Sequence, residues 1–67
     1  MIHLKSEKIL GVDYFNNGTL DVFFKNGHLL RFYDVPEFIF TKLLKSKSRA
    51  QYFENEIQTQ FDYIMIH

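Results

Sequence analysis

Two Asn-Gly pairs, at residues 17–18 and 26–27, stand between short apolar segments in the first half of the chain. An Asn-Gly pair in this setting is the strongest short-range signal for a β-hairpin, and the number of turn residues sets the strand register. A two-residue turn at the second pair would place Arg31 opposite Val22, in the middle of an apolar row. The sequence therefore predicts hairpins whose turns have a different length.

Three-residue turns that end in a left-handed glycine remove this conflict and give a sheet with one apolar face. In the second hairpin, they pair Phe24 with His28, Val22 with Leu30, and Leu20 with Phe32. In the first hairpin, they pair Phe15 with Thr19, Tyr14 with Leu20, Val12 with Val22, and Leu10 with Phe24. Because side chains alternate along a strand, a slip of one residue would expose the whole apolar set. Residues 8–15, 19–24 and 28–33 are thus predicted to form a three-stranded antiparallel meander.

A helix is predicted directly after the meander. Asp34 and Glu37 form a capping-box pattern around Pro36, which indicates a helix over residues 35–46. The apolar stripe of this helix is expected to cover the sheet and consists of Ile39, Phe40, Leu43 and Leu44.

A second, shorter helix is predicted to begin at Ser48, which repeats the capping pattern with Gln51, and to end near Gln60. Its buried stripe consists of Ala50, Phe53 and Ile57. The segment 61–67 is predicted to be a terminal strand. Together, these elements predict a single α+β domain over residues 1–67: a three-stranded antiparallel β-meander packed by two short helices, with a C-terminal strand that joins the sheet.

The composition indicates a small domain that is stabilised by packing alone. The chain has 67 residues, no cysteine, eight Phe and four Tyr. The lack of cysteine excludes disulfides and thiolate metal sites, and a cytoplasmic location is expected. Eight basic and eight acidic residues cancel, so nucleic acid can be bound only through a local patch. No segment has the apolar length of a spanning helix or the pattern of a signal peptide, so no membrane partner is expected.

The chain lacks the patterns expected of an enzyme. His3, His28 and His67 are scattered and offer no metal-ligand spacing. The serines have no neighbouring base, and Gly18 and Gly27 are explained by turn geometry rather than by a phosphate loop. We therefore expect a non-enzymatic domain without a metal or a small-molecule cofactor.

A basic cluster where the first predicted helix ends and the second begins is the candidate nucleic-acid site. The candidate residues are Lys42, Lys45, Lys47, Ser48 and Arg49, assisted by Tyr52 and Arg31. Backbone amides at a helix start attract anions, and about four phosphate contacts predict a log-log salt slope of roughly −3. A structural alternative stays open, because lysines near a helix C-terminus also offset the helix dipole and solubilise the loop.

The sheet face away from the predicted helices, here called the outer face, is the second candidate surface. Its large apolar residues are Phe15, Phe23, Leu29 and Tyr33. Unpaired RNA bases stack on such faces in small RNA-binding domains. The alternative is that the neighbours of the terminal strand, or the same face of a second copy, cover this face, as exposed apolar patches often mark protein contacts. A row of Asp13, Asp21 and Arg31 crosses the same face and is predicted to be a solvated charge ladder.

Three stretches of the chain also resemble a known family: L-D-V-F-F-K-N-G, D-V-P-E and S-R-A-Q-Y-F-E-N-E-I. They are similar to the KTSC domain, which is named for its occurrence at the C-terminus of some lysyl-tRNA synthetases and is also found as a small bacterial or phage protein. The resemblance spans roughly residues 6–63 and implies a compact β-meander with helices and a role in RNA binding. The family's Tyr-x-Tyr pair falls on Leu30 and Phe32, which the register places in the core, and its Ser-x-Gly falls on residues 48–50.

Two functions follow from these residues. The first is binding of RNA or another nucleic acid through the basic cluster. The second is a protein-interaction or self-associating module, for example a small phage or mobile-element protein that engages a host protein, which would use the apolar outer face.

Overall fold

The computed structural model describes residues 1–67 and has an α+β architecture, with a five-stranded antiparallel sheet and helices on one face. The strands are β1 (Ile2–His3), β2 (Ile9–Tyr14), β3 (Leu20–Phe24), β4 (Leu29–Phe32) and β5 (Tyr63–Met65). The helical segments are α1 (Glu37–Lys45), α2 (Arg49–Tyr52) and a π-helical segment (Phe53–Gln58) that continues α2. The strands lie in the order β1-β2-β3-β4-β5, so each strand pairs with its neighbours in the chain.

The register of the two hairpins is confirmed over most of its length. Between β3 and β4, Leu20 pairs with Phe32 and Val22 pairs with Leu30. Between β2 and β3, the same alternation pairs Val12 with Val22 and Tyr14 with Leu20. The inner sheet face is therefore continuously apolar beneath the helices.

Both turns have the predicted three residues and the same hydrogen bonds. The N–H of the residue before each turn donates to the carbonyl of the residue after it. The bond runs from Phe15 to Thr19 at 2.9 Å and from Phe24 to His28 at 2.8 Å. Gly18 and Gly27 adopt φ values of +86° and +95°. In each turn, the asparagine before the glycine accepts a hydrogen bond on its side-chain oxygen at 3.0 Å from the N–H of the residue after the glycine. The two loops are thus copies of one turn.

We expect Gly18→Ala and Gly27→Ala each to lower the free energy of unfolding by about 1–2 kcal/mol, since a Cβ disfavours the left-handed conformation. Steric contact adds little, because a Cβ at Gly18 would lie 3.5 Å from its nearest neighbour and one at Gly27 would meet nothing within 4 Å. Urea denaturation measures the effect. The asparagine variants serve as controls and should lose less, as asparagine tolerates this conformation. Equal stability of the alanine variants and the original chain would contradict the turn geometry.

The predicted pairing of Leu10 with Phe24 is wrong. A β-bulge at Leu10 inserts one extra residue in β2, so that Ile9 pairs with Phe24 and Gly11 pairs with Phe23. The bulge turns Ile9 into the core, where it is 1% exposed, and leaves Leu10 39% exposed. Both residues are apolar, so alternation alone could not choose between them.

Strand β1 is absent from the sequence-based prediction, which counts four strands rather than five. It pairs with β2 through Ile2 with Val12 and His3 with Gly11. A two-residue strand shows no periodicity that a sequence pattern could detect. Gly11 permits the close approach, because a Cβ there would lie only 2.7 Å from the Ile2 carbonyl oxygen.

Neither predicted side-chain cap forms. Asp34 adopts a left-handed φ of +57° and ends the turn after β4, and Pro36 occupies the cap position of α1 without a side-chain hydrogen bond. At the second helix, the Ser48 side chain makes no cap; its N–H donates to Ser46 Oγ at 3.2 Å. The capping pattern thus predicts the approximate start of both helices, but neither helix begins with the predicted side-chain hydrogen bond. No helix has the length and apolar character needed to cross a membrane.

The core lies between the sheet and the helices. Its buried residues are Leu4, Ile9, Val12, Leu20, Val22, Leu30, Phe32, Val35, Leu43, Phe53 and Ile57. Phe32 is at its centre, with its ring 5.4 Å from that of Phe53 in an edge-to-face arrangement and 4.8 Å from that of Tyr63. Leu30 and Phe32 are therefore core residues, as the register predicts.

Candidate functional site

A shallow groove of about 220 Å³ lies between the loop after β1 and the junction of α1 with α2. The residues that line it are Lys5, Ser6, Glu7, Lys8, Lys47, Ser48, Arg49 and Ala50. Two segments about forty positions apart in the chain thus form its two walls. We call this feature the basic groove.

Serine hydroxyls shape both walls of the basic groove. Ser6 Oγ accepts hydrogen bonds from the N–H groups of Lys8 and Ile9, each at 3.3 Å, which bends the loop before β2. On the opposite wall, Ser46 Oγ donates to the Ser48 carbonyl at 3.0 Å and accepts from its N–H. The serines therefore order the backbone that carries the lysines.

Four of the eight basic residues of this neutral chain converge on the basic groove. They are Lys5, Lys8, Lys47 and Arg49, and Glu7 is the one acidic residue in the lining. A cluster of cations attracts an anion such as phosphate, because the anion reduces the repulsion between the neighbouring positive charges. The groove thus has the local charge that the chain as a whole lacks.

Two of these cations already have partners within the chain. Lys8 Nζ lies 3.3 Å from Glu54 Oε1, but both side chains are largely exposed, so the pair is weak and exchanges readily. Arg49 donates from Nε and Nη2 to the Leu44 carbonyl, at 3.3 and 2.7 Å, and thereby satisfies the end of α1. Lys5 and Lys47 are therefore the principal cations available to a ligand.

The structure divides the predicted basic cluster. Lys47, Ser48 and Arg49 line the basic groove, whereas Lys42 and Lys45 line a separate shallow surface with Glu37, Phe38 and Thr41. Lys42 Nζ lies 5.7 Å from the centre of the Phe38 ring, a cation–π contact. Sequence reasoning missed Lys5 and Lys8, because only the tertiary fold brings their loop against the helix junction.

Tyr52 lies beside the cluster rather than in the basic groove. Its hydroxyl donates to the Ile39 carbonyl at 3.1 Å and ties α2 to α1. Burial of the phenol raises the pKa of Tyr52, and the nearby charge of Glu56 raises it further. This contact makes Tyr52 a packing residue between the two helices.

The outer face has three cross-strand rows. The middle row consists of Asp13, Asp21, Arg31 and Ile64, in the order of β2 to β5. One flanking row consists of Gly11, Phe23, Leu29 and Ile66, and the other of Phe15, Thr19 and Tyr33. The four predicted interface residues Phe15, Phe23, Leu29 and Tyr33 thus share one face, on two rows that enclose the charged row.

The middle row is a bidentate ion pair rather than a solvated charge ladder. Arg31 donates from Nε and Nη2 to the two carboxylate oxygens of Asp21, at 2.8 and 2.9 Å. The hydrogen bond and the charge of Asp21 raise the pKa of Arg31. Asp21 is only 4% exposed, because Arg31 and its neighbours cover it, while Asp13 pairs with the Met1 ammonium at 3.0 Å. Arg31 is therefore on the outer face and does not share a site with the basic groove.

The three histidines do not come together. His28 Nδ1 lies 3.0 Å from the His67 carbonyl oxygen, and His3 is on β1 at the opposite side of the sheet. No group of three or more histidine, aspartate or glutamate side chains is placed to hold a metal ion.

Comparison with known proteins identifies the family. The model of the KTSC domain matches residues 5–61. No curated protein matches the chain. Among solved structures, a KTSC domain protein from Yersinia pestis is 24% identical and has a TM-score of 0.88 over 97% of this chain and 93% of that one, which shows a shared fold. The chain therefore belongs to the KTSC domain family.

Proposed function

We propose that this KTSC domain is a non-enzymatic binding module that holds the phosphate backbone of RNA in the basic groove. The observation that carries the proposal is the convergence of Lys5 and Lys8 with Lys47 and Arg49 in a chain of zero net charge. Phosphate contacts supply most of the affinity of sequence-independent nucleic-acid binding. No aromatic side chain lines the groove, so we expect little preference for particular bases.

We expect binding that is weak and strongly dependent on salt. With at most four phosphate contacts, the slope of log affinity against log salt is roughly −3 for single-stranded RNA. Because Arg49 already donates to the Leu44 carbonyl, we expect a measured salt slope no steeper than this value. Fluorescence anisotropy of a labelled oligouridine, measured over a range of salt concentrations, gives the slope.

Charge reversal tests whether the groove, rather than total charge, carries the binding. We expect Lys5→Glu/Lys47→Glu to weaken RNA binding roughly tenfold or more at low salt, since two of the four phosphate contacts become repulsive. The matched control is Lys25→Glu/Lys42→Glu, which changes the net charge equally at exposed positions outside the groove. An equal loss in both variants, or no binding by the original chain at low salt, would refute the proposal.

A protein-interaction module is the second candidate function, because the outer face has exposed apolar residues on both sides of its charged middle row. Phe15 and Ile64 are 45% and 49% exposed there, although α1 and α2 cover the opposite face. Exposed apolar residues that are grouped on one side of a small domain are typical of protein contact surfaces.

A further inference from the structure

We propose that Glu54 competes with the phosphate of RNA for Lys8 and thereby limits the affinity of the basic groove. This inference rests on the proposed binding of RNA and concerns how the same site is regulated. Glu54 is not part of the groove lining; it lies on the π-helical segment, and its carboxylate contacts the groove from a third part of the chain. The fold thus supplies its own anion to one of the four groove cations.

Lys8 is the groove cation that this carboxylate engages. Lys8 Nζ donates to Glu54 Oε1 at 3.3 Å. A phosphate oxygen bound to the same ammonium would lie at most about 6 Å from this carboxylate oxygen, since each contact spans roughly 3 Å. Two negative charges at such a distance repel each other. A phosphate on Lys8 therefore either displaces Glu54 or binds less tightly beside it.

The other groove cations are not engaged by carboxylates. Of the three ion pairs in the chain, only that of Lys8 with Glu54 involves a residue of the groove lining. Lys5 and Lys47 have no ion-pair partner, and Arg49 donates to a neutral carbonyl. Glu54 is therefore the one carboxylate whose removal frees a groove cation.

The exchange between carboxylate and phosphate needs movement of exposed side chains only. The side chains of Lys8 and Glu54 are 69% and 49% exposed, and exposed side chains change rotamer within nanoseconds. The backbone of Lys8 is fixed, because its N–H donates to Ser6 Oγ at 3.3 Å and its carbonyl accepts from the N–H of Lys25 at 2.9 Å. Glu54 thus acts on the affinity for a ligand without changing the shape of the groove backbone.

Removal of the carboxylate tests the competition. We expect Glu54→Gln to tighten the binding of labelled oligouridine about two- to fivefold at low salt, as is typical of one exposed ion pair. The matched control is Glu56→Gln, which removes the same charge from the same helical segment, where Glu56 is exposed and forms no ion pair. We expect the control to change the affinity much less. Equal gains in both variants would indicate an effect of net charge and would overturn the competition.

A double-mutant cycle with Lys8→Gln tests which cation is contested. In the Lys8→Gln background, Glu54→Gln should change RNA binding no more than Glu56→Gln does, because the contested ammonium is gone. A full gain from Glu54→Gln without Lys8 would overturn the competition. Circular dichroism establishes that each variant is folded. If neither the original chain nor any variant binds RNA at low salt, the proposed function itself fails, whereas RNA binding that is indifferent to Glu54 removes only the competition.

Discussion

The substitution Val22→Asn is expected to remove most of the stability of the domain. Val22 is fully buried at the centre of the inner sheet face. Its loss removes roughly 1.5–3 kcal/mol of apolar burial, and an amide without a partner in the core costs roughly 1–3 kcal/mol more. A domain of this size has a total stability of only about 3–10 kcal/mol. Urea denaturation followed by far-ultraviolet circular dichroism measures the loss. We expect a much lower urea midpoint than in the original chain, or no folded signal at all.

The neighbouring substitution Phe23→Asn is the matched control, because Phe23 lies on the same strand but points to the outer face. We expect this variant to fold, since the new amide is reached by water and remains hydrated. If Phe23→Asn unfolded the chain and Val22→Asn did not, the division into an inner core and an outer contact surface would be reversed.

The substitution Phe32→Ala is expected to reduce the free energy of unfolding by about 3–5 kcal/mol, as is typical of buried Phe-to-Ala changes. Phe32 is fully buried and contacts rings from two other elements, Phe53 and Tyr63. Its loss therefore leaves a cavity where β4, β5 and the π-helical segment meet. The change should be visible as a lower urea midpoint, or as a chain that does not fold at all.

Two controls test whether the large effect of Phe32→Ala comes from the buried position of this ring rather than from the loss of any aromatic ring. Phe38→Ala removes an exposed ring from α1 and should cost less than about 1 kcal/mol. A double-mutant cycle of Phe32→Leu with Phe53→Leu should give a coupling of about 0.5–1.5 kcal/mol for the edge-to-face pair. If the two single changes in the free energy of unfolding add up to that of the double variant, the rings contribute burial only.

The basic groove and the outer face lie on different sides of the molecule, so the two proposed interactions do not compete. The groove is built by the loop after β1 and the helix junction, whereas the outer face belongs to the sheet.

Local sequence chemistry was sufficient for the register of the meander from Val12 onward. Only glycine readily adopts the left-handed conformation at Gly18 and Gly27, and two equal turns lock a register in which Leu20, Val22 and Phe32 share one face. The same register also predicts, correctly, that the four large apolar residues of the outer face lie together on the opposite side. Helix α1 also follows from a short-range signal, because its apolar spacing matches the period of an α-helix. The predicted second helix begins as α2 but continues as a π-helical segment over Phe53–Gln58, which the spacing does not predict.

The tertiary structure decided what depends on contacts between distant segments. Ile9 and Leu10 are both apolar, and only the bulge determines which of them is buried. The two-residue strand β1 forms only because the folded chain places it beside β2, where His3 pairs with Gly11. The basic groove exists because the fold places Lys5 and Lys8 against Lys47, which no spacing along the chain could reveal. Turns and helices are local in sequence and can be inferred from it, whereas a charged surface is the sum of residues that meet only after folding.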